Sequence, residues 1–269
     1  MISIEVHRVS FTYPGGVQAL DGIDLSIRPG ETLGIIGQNG SGKSTLVRHL
    51  NGLLRPTEGR ILLDGTTVGR RHVAELAAQV GIAFQDPDRQ IFAGRVHTEV
   101  AFGPRNLGLR GAELDRRVTE ALEVVGLAGT DDENPYDLGY SRRKLLSIAS
   151  VLAMRTPVVI LDEPTTGQDL RGVARVRTIV AALAAEGRTV ITISHDMRFV
   201  AETFRRVVVM RAGRIVLDGT PAEVFGEASW EMLASTNLEP PLAARVGARL
   251  RLGSTPTEAS LVEALKATA

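Results

Sequence analysis

The chain has 269 residues, 43% of them hydrophobic, which is enough for one or two domains with a sizeable core. Lys and Arg together number 31, as do Asp and Glu, so no net charge attracts nucleic acid or acidic substrates over a distance. The chain contains no Cys, which excludes disulfides, thiol nucleophiles and thiolate zinc sites. We therefore expect chemistry that uses oxygen and nitrogen groups, and no nucleic-acid partner.

The sequence predicts neither a targeting segment nor a membrane span. Glu5, His7 and Arg8 lie where a signal peptide would need an apolar run. The longest uncharged apolar stretch, residues 145–154, is well short of the roughly 18 residues that cross a bilayer. We therefore expect the chain to act at a membrane only through a partner.

Strand patterns dominate the first 85 residues. Apolar and polar residues alternate on either side of a Pro-Gly-Gly turn, which predicts an antiparallel hairpin. The next apolar run enters a glycine-rich turn and then a helical pattern, so the order strand, loop, helix is expected there. The predicted strands lie at 2–6, 23–27, 32–36, 59–64 and 80–84.

Helical periodicity replaces the strand pattern between residues 86 and 156, which predicts a helical insertion. Beyond it we expect strands at 158–161 and 189–193, a helix at 173–185 between them, and a hairpin at 206–218. Strands that alternate with helices predict a mostly parallel sheet with helices on both faces. Pro residues punctuate the last fifty residues, which predicts an appended lobe of short helices.

A glycine-rich run follows the predicted strand at 32–36 and precedes a helix. Its residues are Gly37, Gln38, Asn39, Gly40, Ser41, Gly42, Lys43 and Ser44. Glycines let successive N–H groups point into one concavity, and the helix adds the positive end of its dipole, which suits phosphate oxygens. Lys43 is one of only three Lys among 31 basic residues, and a compact ammonium fits between phosphates as a forked guanidinium cannot. An ordinary turn is the alternative, but this context favours a nucleotide site with the Ser44 hydroxyl on Mg²⁺.

Further polar side chains leave the same predicted edge of the sheet. Asp162 and Glu163 follow the apolar strand at 158–161, where ligands of open α/β sheets bind. We expect Asp162 to hold the metal or its water and Glu163 to polarise the attacking water, although a capping or solvated pair is the alternative. His195 follows the strand at 189–193 and is expected near the γ-phosphate. Gln85 follows the strand at 80–84 and is expected to ligate Mg²⁺ or water reversibly.

Together these residues resemble the ATP-binding-cassette (ABC) ATPases, with a match over about residues 2–220. The resemblance implies that Tyr13 stacks on adenine and that the cradle extends from Gly37 through Thr45. It also implies that Gln85 is the Q-loop glutamine and His195 the switch histidine. ATP and Mg²⁺ are the cofactors it implies.

More narrowly, residues 84–92 and 151–154 resemble the energy-coupling-factor (ECF) transporters, which import vitamins and transition-metal ions. The resemblance implies an α/β fold: a P-loop NTPase core at 1–85 and 157–219 with an antiparallel β subdomain, a helical subdomain at 86–156, and a C-terminal helical extension at 220–269. It implies a peripheral protein on the cytoplasmic face of the cell membrane. The implied partners are a second ABC ATPase subunit, a transmembrane coupling subunit that docks on the helical subdomain, and a substrate-binding membrane subunit.

The chain departs from the family where ABC ATPases usually carry Leu-Ser-Gly-Gly-Gln. The residues after Leu138 are Gly139, Tyr140, Ser141 and Arg142. The usual loop presents a hydroxyl, N–H groups and a helix N-terminus to the γ-phosphate on the opposite subunit. Ser141 is expected to cap the helix that follows, whereas Tyr140 adds bulk where close backbone approach is needed. The three cations at 142–144 either compensate with charge or form a solvated face, and the sequence leaves both open.

The contrast between this degenerate loop and the intact nucleotide site favours a heterodimer with a second, different cassette. The chain's own cradle, acid pair and His195 are intact, whereas the partner's ATP would face a degenerate loop. Two other functions are alternatives: a non-transport ABC ATPase acting on nucleic acid or ribosomes, and a mainly structural cassette that hydrolyses ATP weakly. The zero net charge disfavours the first, and Glu163 and His195 disfavour the second. The role of the appended lobe, as a partner contact or an inert cap, also stays open.

Overall fold

The computed structural model describes residues 2–268 and divides them into ten strands and eleven helices. The strands are β1 Ile4–Thr12, β2 Gln18–Ile27, β3 Thr32–Ile36, β4 Glu58–Leu63, β5 Thr66–Thr67, β6 Val80–Ala83, β7 Val158–Asp162, β8 Thr189–Ile193, β9 Arg206–Arg211 and β10 Arg214–Gly219. The helices are α1 Lys43–Leu50, α2 Val73–Ala77, α3 Val96–Asn106, α4 Gly111–Val125, α5 Tyr140–Ala153, α6 Leu170–Ala185, α7 Met197–Thr203, α8 Pro221–Val224, α9 Trp230–Ala234, α10 Leu242–Arg249 and α11 Glu258–Thr268. Residues 1 and 269, the outer limits of the predicted core and extension, lie outside the described residues.

A six-stranded sheet forms the centre of the fold, in the order β10-β9-β3-β8-β7-β6. All neighbouring pairs are parallel except β9 with β10, which form the hairpin expected at 206–218. Every residue of β3, β7 and β8 is buried. Strands buried on both faces need the continuous apolar runs that this sequence has, so the predicted α/β class is confirmed.

Alternation along the strands divides the core into two layers. In β7, Val158 and Ile160 pack with the antiparallel β strands and α1, whereas Val159 and Leu161 pack with the helices of the other face. Successive strand residues point to opposite faces. One buried strand therefore holds both layers together.

The second sheet is antiparallel and has the order β2-β1-β4-β5. Strands β1 and β2 pair from Ile4 with Ile27 to Thr12 with Gln18, as the alternation predicts. Strand β4 pairs on the other side of β1. Its inner face packs on α1 and the central sheet, so the sheet brings Tyr13, just after β1, close to the start of α1.

Helices fill the chain between β6 and β7, where the insertion is predicted. Helices α3, α4 and α5 share one apolar cluster with the helix-covered face of the central sheet. Helix α6 begins at Leu170, three residues before the predicted start, because the Asp169 carboxylate accepts a hydrogen bond from the Gly172 N–H at 2.7 Å. Helices α8 to α11 form the appended lobe. Within residues 2–268, no helix is long and apolar enough to cross a membrane.

His49 is the fully buried histidine of α1. Its Nδ1–H donates to the Thr45 carbonyl at 2.7 Å, and its ring meets Phe11 edge to face. Burial lowers the pKa of His49 from its usual 6.5, and the backbone carbonyls of Thr45 and Arg55 oppose the shift. The folded protein thus holds this imidazole neutral at a pH where the unfolded chain protonates it.

We therefore expect His49→Gln, which keeps a donor for Thr45, to reduce the pH dependence of stability. His49 contributes stability above pH 6.5 that is lost as the pH falls toward the lower folded pKa, because the unfolded state then binds the extra proton. Melting temperatures between pH 7.5 and pH 5.5 should fall less for His49→Gln than for the wild type. The exposed-histidine control His72→Gln should follow the wild type. Parallel wild-type and His49→Gln profiles would contradict this expectation.

Candidate active site

The carboxyl ends of β3, β7 and β8 meet at one edge of the central sheet. Ile35 lies opposite Ile193, and Ile193 lies opposite Asp162 across the parallel ladders. At this edge the chain passes from β3 into the glycine-rich run, from β7 into the acid pair and from β8 into the segment that carries His195. Parallel pairing alone accounts for this convergence, although β3 lies more than a hundred residues before β7 in the chain.

Glycines shape the loop between β3 and α1 because a side chain has no room there. Gly37 has φ +152°, and a Cβ on it would lie 2.3 Å from the Met210 carbonyl oxygen. Gly42, the N-cap of α1, has φ +101°, and its Cβ would lie 2.4 Å from the Ala19 carbonyl oxygen. The loop is thus wedged against β2 and β9, with its N–H groups beside the positive end of α1.

Lys43 is the first residue of α1 and is only 7% exposed. Its Nζ donates to the carbonyls of Gly37 at 2.7 Å and Gln38 at 2.9 Å, so the ammonium lies across the mouth of the loop. Burial lowers the pKa of Lys43, and the charges of Glu163 and Asp162 oppose this. A desolvated cation beside free N–H groups attracts phosphate oxygens strongly.

Asp162 supplies the oxygen that best fits Mg²⁺. The side chain is 2% exposed, and its buried Oδ1 finds no hydrogen-bond partner within the described residues. Burial raises the pKa of Asp162, and the Ser44 hydroxyl and the Lys144 charge are the main opposing influences. A buried carboxylate oxygen left without a partner is costly. Together with a neighbouring hydroxyl it provides the hard oxygen donors that Mg²⁺ takes, so the residues present fit this ion.

Glu163 and His195 contact each other directly. Glu163 Oε2 lies 2.7 Å from His195 Nδ1 and accepts a second hydrogen bond from the His195 backbone N–H at 3.3 Å. Glu163 has φ +50°, a conformation that costs a non-glycine residue about 1–3 kcal/mol and recurs at functional sites. Burial raises the pKa of Glu163, and the charge and hydrogen bonds of His195 oppose it. The histidine side chain is 64% exposed, whereas the carboxylate is buried, so His195 covers the acid from the solvent side.

A cavity of about 320 Å³ joins most of the predicted site residues. Its lining includes Tyr13, residues 39–45, Gln85, Asp162 and Glu163. The Tyr13 hydroxyl hydrogen-bonds with the Thr45 hydroxyl at 3.1 Å, which fixes the aromatic ring at the rim of the loop. The glycine-rich loop, the Lys43 ammonium, the Ser44 hydroxyl and the two acids thus border one volume beside an aromatic ring.

Gly37, Gln38 and His195 lie next to this cavity but do not line it. The Gln38 Oε1 accepts a hydrogen bond from Asn237 Nδ2 at 2.9 Å, which joins the appended lobe to the cradle. The sequence did not mark Asn237 as a site residue. Its φ of +55° is a conformation that Asn tolerates, yet no motif surrounds it, and only the fold brings it 199 positions back to the cradle.

The degenerate loop lies away from the cradle, at the start of α5. The N-cap of α5 is Gly139, and the prediction that Ser141 caps this helix is wrong. The Ser141 hydroxyl instead donates to Gln168 Oε1 at 2.8 Å, and Gln168 Nε2 donates to the Ser141 carbonyl at 3.0 Å. The Tyr140 ring packs against Gly167, where a Cβ would lie 2.6 Å from the ring. The loop is therefore held by its own subunit's Gly-Gln-Asp segment, residues 167–169.

The three cations that follow have separate environments, so neither interpretation from the sequence holds for all of them. Arg142 is half exposed and lies 3.9 Å from Glu133, and Arg143 forms a 2.9 Å ion pair with Asp88. Lys144 is only 1% exposed, so a solvated face is wrong for it, as is a charge directed at a partner's phosphate. Burial lowers the pKa of Lys144 to about 8, against the opposing charge of Asp162.

Comparisons with known proteins show the family of the chain. The profile of the family described as ABC transporter matches residues 20–166. The chain belongs to the ABC transporter family of ATP-binding proteins. It is 39% identical over 260 residues to the energy-coupling factor transporter ATP-binding protein EcfA of Methanothermobacter thermautotrophicus, covering 96% of this chain and 83% of the relative. This ABC cassette is therefore an ATPase of the P-loop NTPase fold.

Solved structures of other ABC cassettes have the same fold. CbiO1 from Clostridium perfringens, described as part of the ABC transporter complex CbiONQ, superposes with a TM-score of 0.76 at 38% identity, covering 92% of this chain and 98% of CbiO1. The cassette MJ0796, solved as a dimer bound to ADP and Pi, gives a TM-score of 0.74 at 25% identity, covering 81% and 98%. Cassettes of this family thus pair with a second cassette and work with membrane subunits.

Removal of the cradle ammonium should weaken nucleotide binding. We expect Lys43→Ala to lower the affinity for Mg·ATP by about 10- to 150-fold, because a hydrogen bond to a charged group contributes roughly 1.5–3 kcal/mol. Isothermal titration calorimetry measures this directly. Lys266→Ala, which removes an exposed lysine from α11, is the matched control and should bind as the wild type does. Unchanged affinity in Lys43→Ala would exclude the cradle as the phosphate site.

Proposed function

We propose that this chain is the ATP-hydrolysing subunit of an ECF-type importer, bound to the cytoplasmic face of the cell membrane through a transmembrane coupling subunit. ATP-dependent closure of two cassettes would drive uptake of a vitamin or metal ion by a separate substrate-binding membrane subunit. The observation that carries the proposal is the cavity where the cradle, Gln85, Asp162 and Glu163 meet. The names of the relatives EcfA and CbiO1 support the transport class.

Each side chain has a task in this proposal. The N–H groups of residues 37–45 and the Lys43 ammonium bind and orient the phosphates, and Tyr13 stacks on adenine. Ser44, Gln85 and Asp162 hold Mg²⁺, which neutralises charge on the phosphate oxygens when bound. Glu163 accepts a proton from the attacking water, and burial, which raises its pKa, makes it a stronger base than an exposed carboxylate.

His195 keeps Glu163 in place for this step. The 2.7 Å contact with Nδ1 fixes one carboxylate oxygen and leaves the other for water. The exposed imidazole also limits the access of bulk solvent to the acid. We propose that a γ-phosphate in the cavity meets His195 on its outer side, which would make the histidine responsive to hydrolysis.

Glu163→Gln should separate binding from turnover. The amide keeps an oxygen that accepts from His195 but cannot accept a proton, so turnover should fall about 10²- to 10⁴-fold. ATP affinity should stay within about twofold of the wild type, and, together with a partner cassette that carries an ordinary signature loop, the ATP-bound complex should accumulate as a closed dimer. Phosphate-release kinetics, calorimetry and light scattering provide the three readouts. The control Glu231→Gln, at an exposed position of α9, should hydrolyse normally, and undiminished turnover in Glu163→Gln would remove the acid from its proposed role.

We also propose that the working dimer pairs this chain with a different cassette. Tyr140 stands at the first position of α5, with 39% of its surface exposed, where a family member usually has glycine. Its ring narrows the approach of a partner's γ-phosphate to the N–H groups at the start of that helix. The ATP in this chain's own cradle needs only an ordinary signature loop from the partner.

Restoration of the usual loop tests this asymmetry. The variant with Gly139→Ser, Tyr140→Gly, Ser141→Gly and Arg142→Gln presents Leu-Ser-Gly-Gly-Gln after Leu138. Alone with Mg·ATP, the wild type should stay monomeric and hydrolyse slowly, whereas the restored variant should dimerise and turn over at least tenfold faster. Light scattering and phosphate release at several protein concentrations measure both. The heterodimer idea would be wrong if the wild type alone matched the restored variant.

A further inference from the structure

Lys144 joins three segments of the site through one buried ammonium. Its Nζ donates to the carbonyls of Phe84 at 3.2 Å, Gln85, and Asp162 at 3.2 Å. Gln85 and Asp162 are two of the three residues assigned to the metal side of the cavity. Lys144 itself belongs to α5, the helix that begins at Tyr140.

The chemistry of this contact favours lysine. An ammonium has three N–H donors that point in different directions and no acceptor, and here it meets three carbonyls from two strand ends. A planar guanidinium directs its donors in one plane, which does not suit three carbonyls that belong to two different strand ends. The chain uses Lys only three times among its 31 basic residues, and two of these, Lys43 and Lys144, are buried at this site.

A second connection supports the first. The Gln90 side chain accepts from the Phe84 N–H at 3.0 Å and donates to the Ser147 carbonyl at 2.9 Å. Ser147 lies one turn after Lys144 in α5. The helix therefore holds the segment that carries Gln85 from two points, whereas Lys144 alone also reaches β7 through Asp162.

Helix α5 thus carries two groups with different partners. Tyr140 and Lys144 are four residues apart, so they lie on the same face of the helix. Tyr140 belongs to the loop assigned to a partner's nucleotide, and Lys144 contacts the metal side of this chain's own nucleotide. A shift of α5 moves both groups together.

We propose that Lys144 is a positioning residue for ATP hydrolysis, which holds Gln85 and Asp162 at a fixed separation and couples that separation to the position of α5. The proposal rests on the proposed ATP site and deepens it. Lys144 does not touch the nucleotide in this scheme. It acts through the backbone of two of the three residues assigned to Mg²⁺, so its loss should affect the metal dependence of turnover more than nucleotide binding.

Two substitutions separate this role from simple packing. Lys144→Met keeps the apolar length of the side chain without any donor, and Lys144→Gln keeps two N–H donors without the charge. Lys266→Met, at an exposed site in α11, is the matched control. We expect Lys144→Met to bind ATP within about threefold of the wild type but to lose at least tenfold in kcat. The Mg²⁺ concentration for half-maximal activity should rise at least fivefold, with Lys144→Gln between it and the wild type.

Hydrogen exchange of the protein without nucleotide or metal gives a readout independent of activity. Amides of residues 84–90 should exchange at least tenfold faster in Lys144→Met, with amides of α1 unchanged. Wild-type exchange at 84–90 together with a wild-type Mg²⁺ requirement would overturn the proposal, even if the melting temperature fell. If Lys144→Met does not fold, an unchanged Mg²⁺ requirement and unchanged exchange in Lys144→Gln would do the same. Failure of the wild type to bind Mg·ATP would instead refute the proposed function.

Discussion

Four buried charged side chains lie close together at the carboxyl edge of the central sheet. Lys43, Lys144, Asp162 and Glu163 are each less than one-tenth exposed. Burial of a charge costs several kcal/mol unless a partner compensates it. Burial shifts the pKa of each group toward its neutral form, and the opposite charges nearby limit the shift. The site is therefore held by mutual compensation among these groups.

The same buried groups also connect the elements around the site by hydrogen bonds. The two ammonium groups donate hydrogen bonds to backbone carbonyls: Lys43 within the cradle, and Lys144 at two strand ends. On the acid side, Glu163 Oε2 accepts two hydrogen bonds from His195, whereas Asp162 Oδ1 has no partner within the described residues. Asp162 therefore keeps a carboxylate oxygen that can accept a further bond. The Lys43 ammonium keeps its positive charge, because its partners in the cradle are neutral carbonyls. Mg²⁺ and a triphosphate supply the complementary groups.

The sequence predicts those parts of the site whose functional residues are contiguous in the chain. The cradle follows the buried strand β3, the acid pair begins with the last residue of the buried strand β7, and parallel pairing brings the two strand ends together. This is why the α/β class and the convergence of Lys43, Asp162 and Glu163 follow from local patterns. The placement of these side chains agrees with the prediction, while their catalytic roles stay proposals until they are measured.

Contacts between distant segments escape such patterns. Asn237 reaches Gln38 across 199 positions, and Lys144 reaches Phe84 across 60. The scarcity of Lys is visible in the composition, but only the fold shows that Lys144 shares the site with Lys43. The predicted cap by Ser141 fails for the same reason, because the competing Gln168 approaches from another loop. Helix-capping preferences consider only neighbouring residues, so they cannot show that a distant residue such as Gln168 will bind the Ser141 hydroxyl instead.

The contacts of Ser141 and Lys144 also bear on the heterodimer. Ser141 bonds to Gln168 in the segment after β7, and Lys144 bonds to Asp162 at the end of β7. The degenerate loop is thus connected to the same strand that supplies Glu163. A partner that docks against Tyr140 therefore contacts a helix that is hydrogen-bonded to the strand end carrying Asp162 and Glu163. On this argument the loop at residues 139–142, even if it supports little hydrolysis of the partner's ATP, still links partner docking to this chain's own nucleotide site.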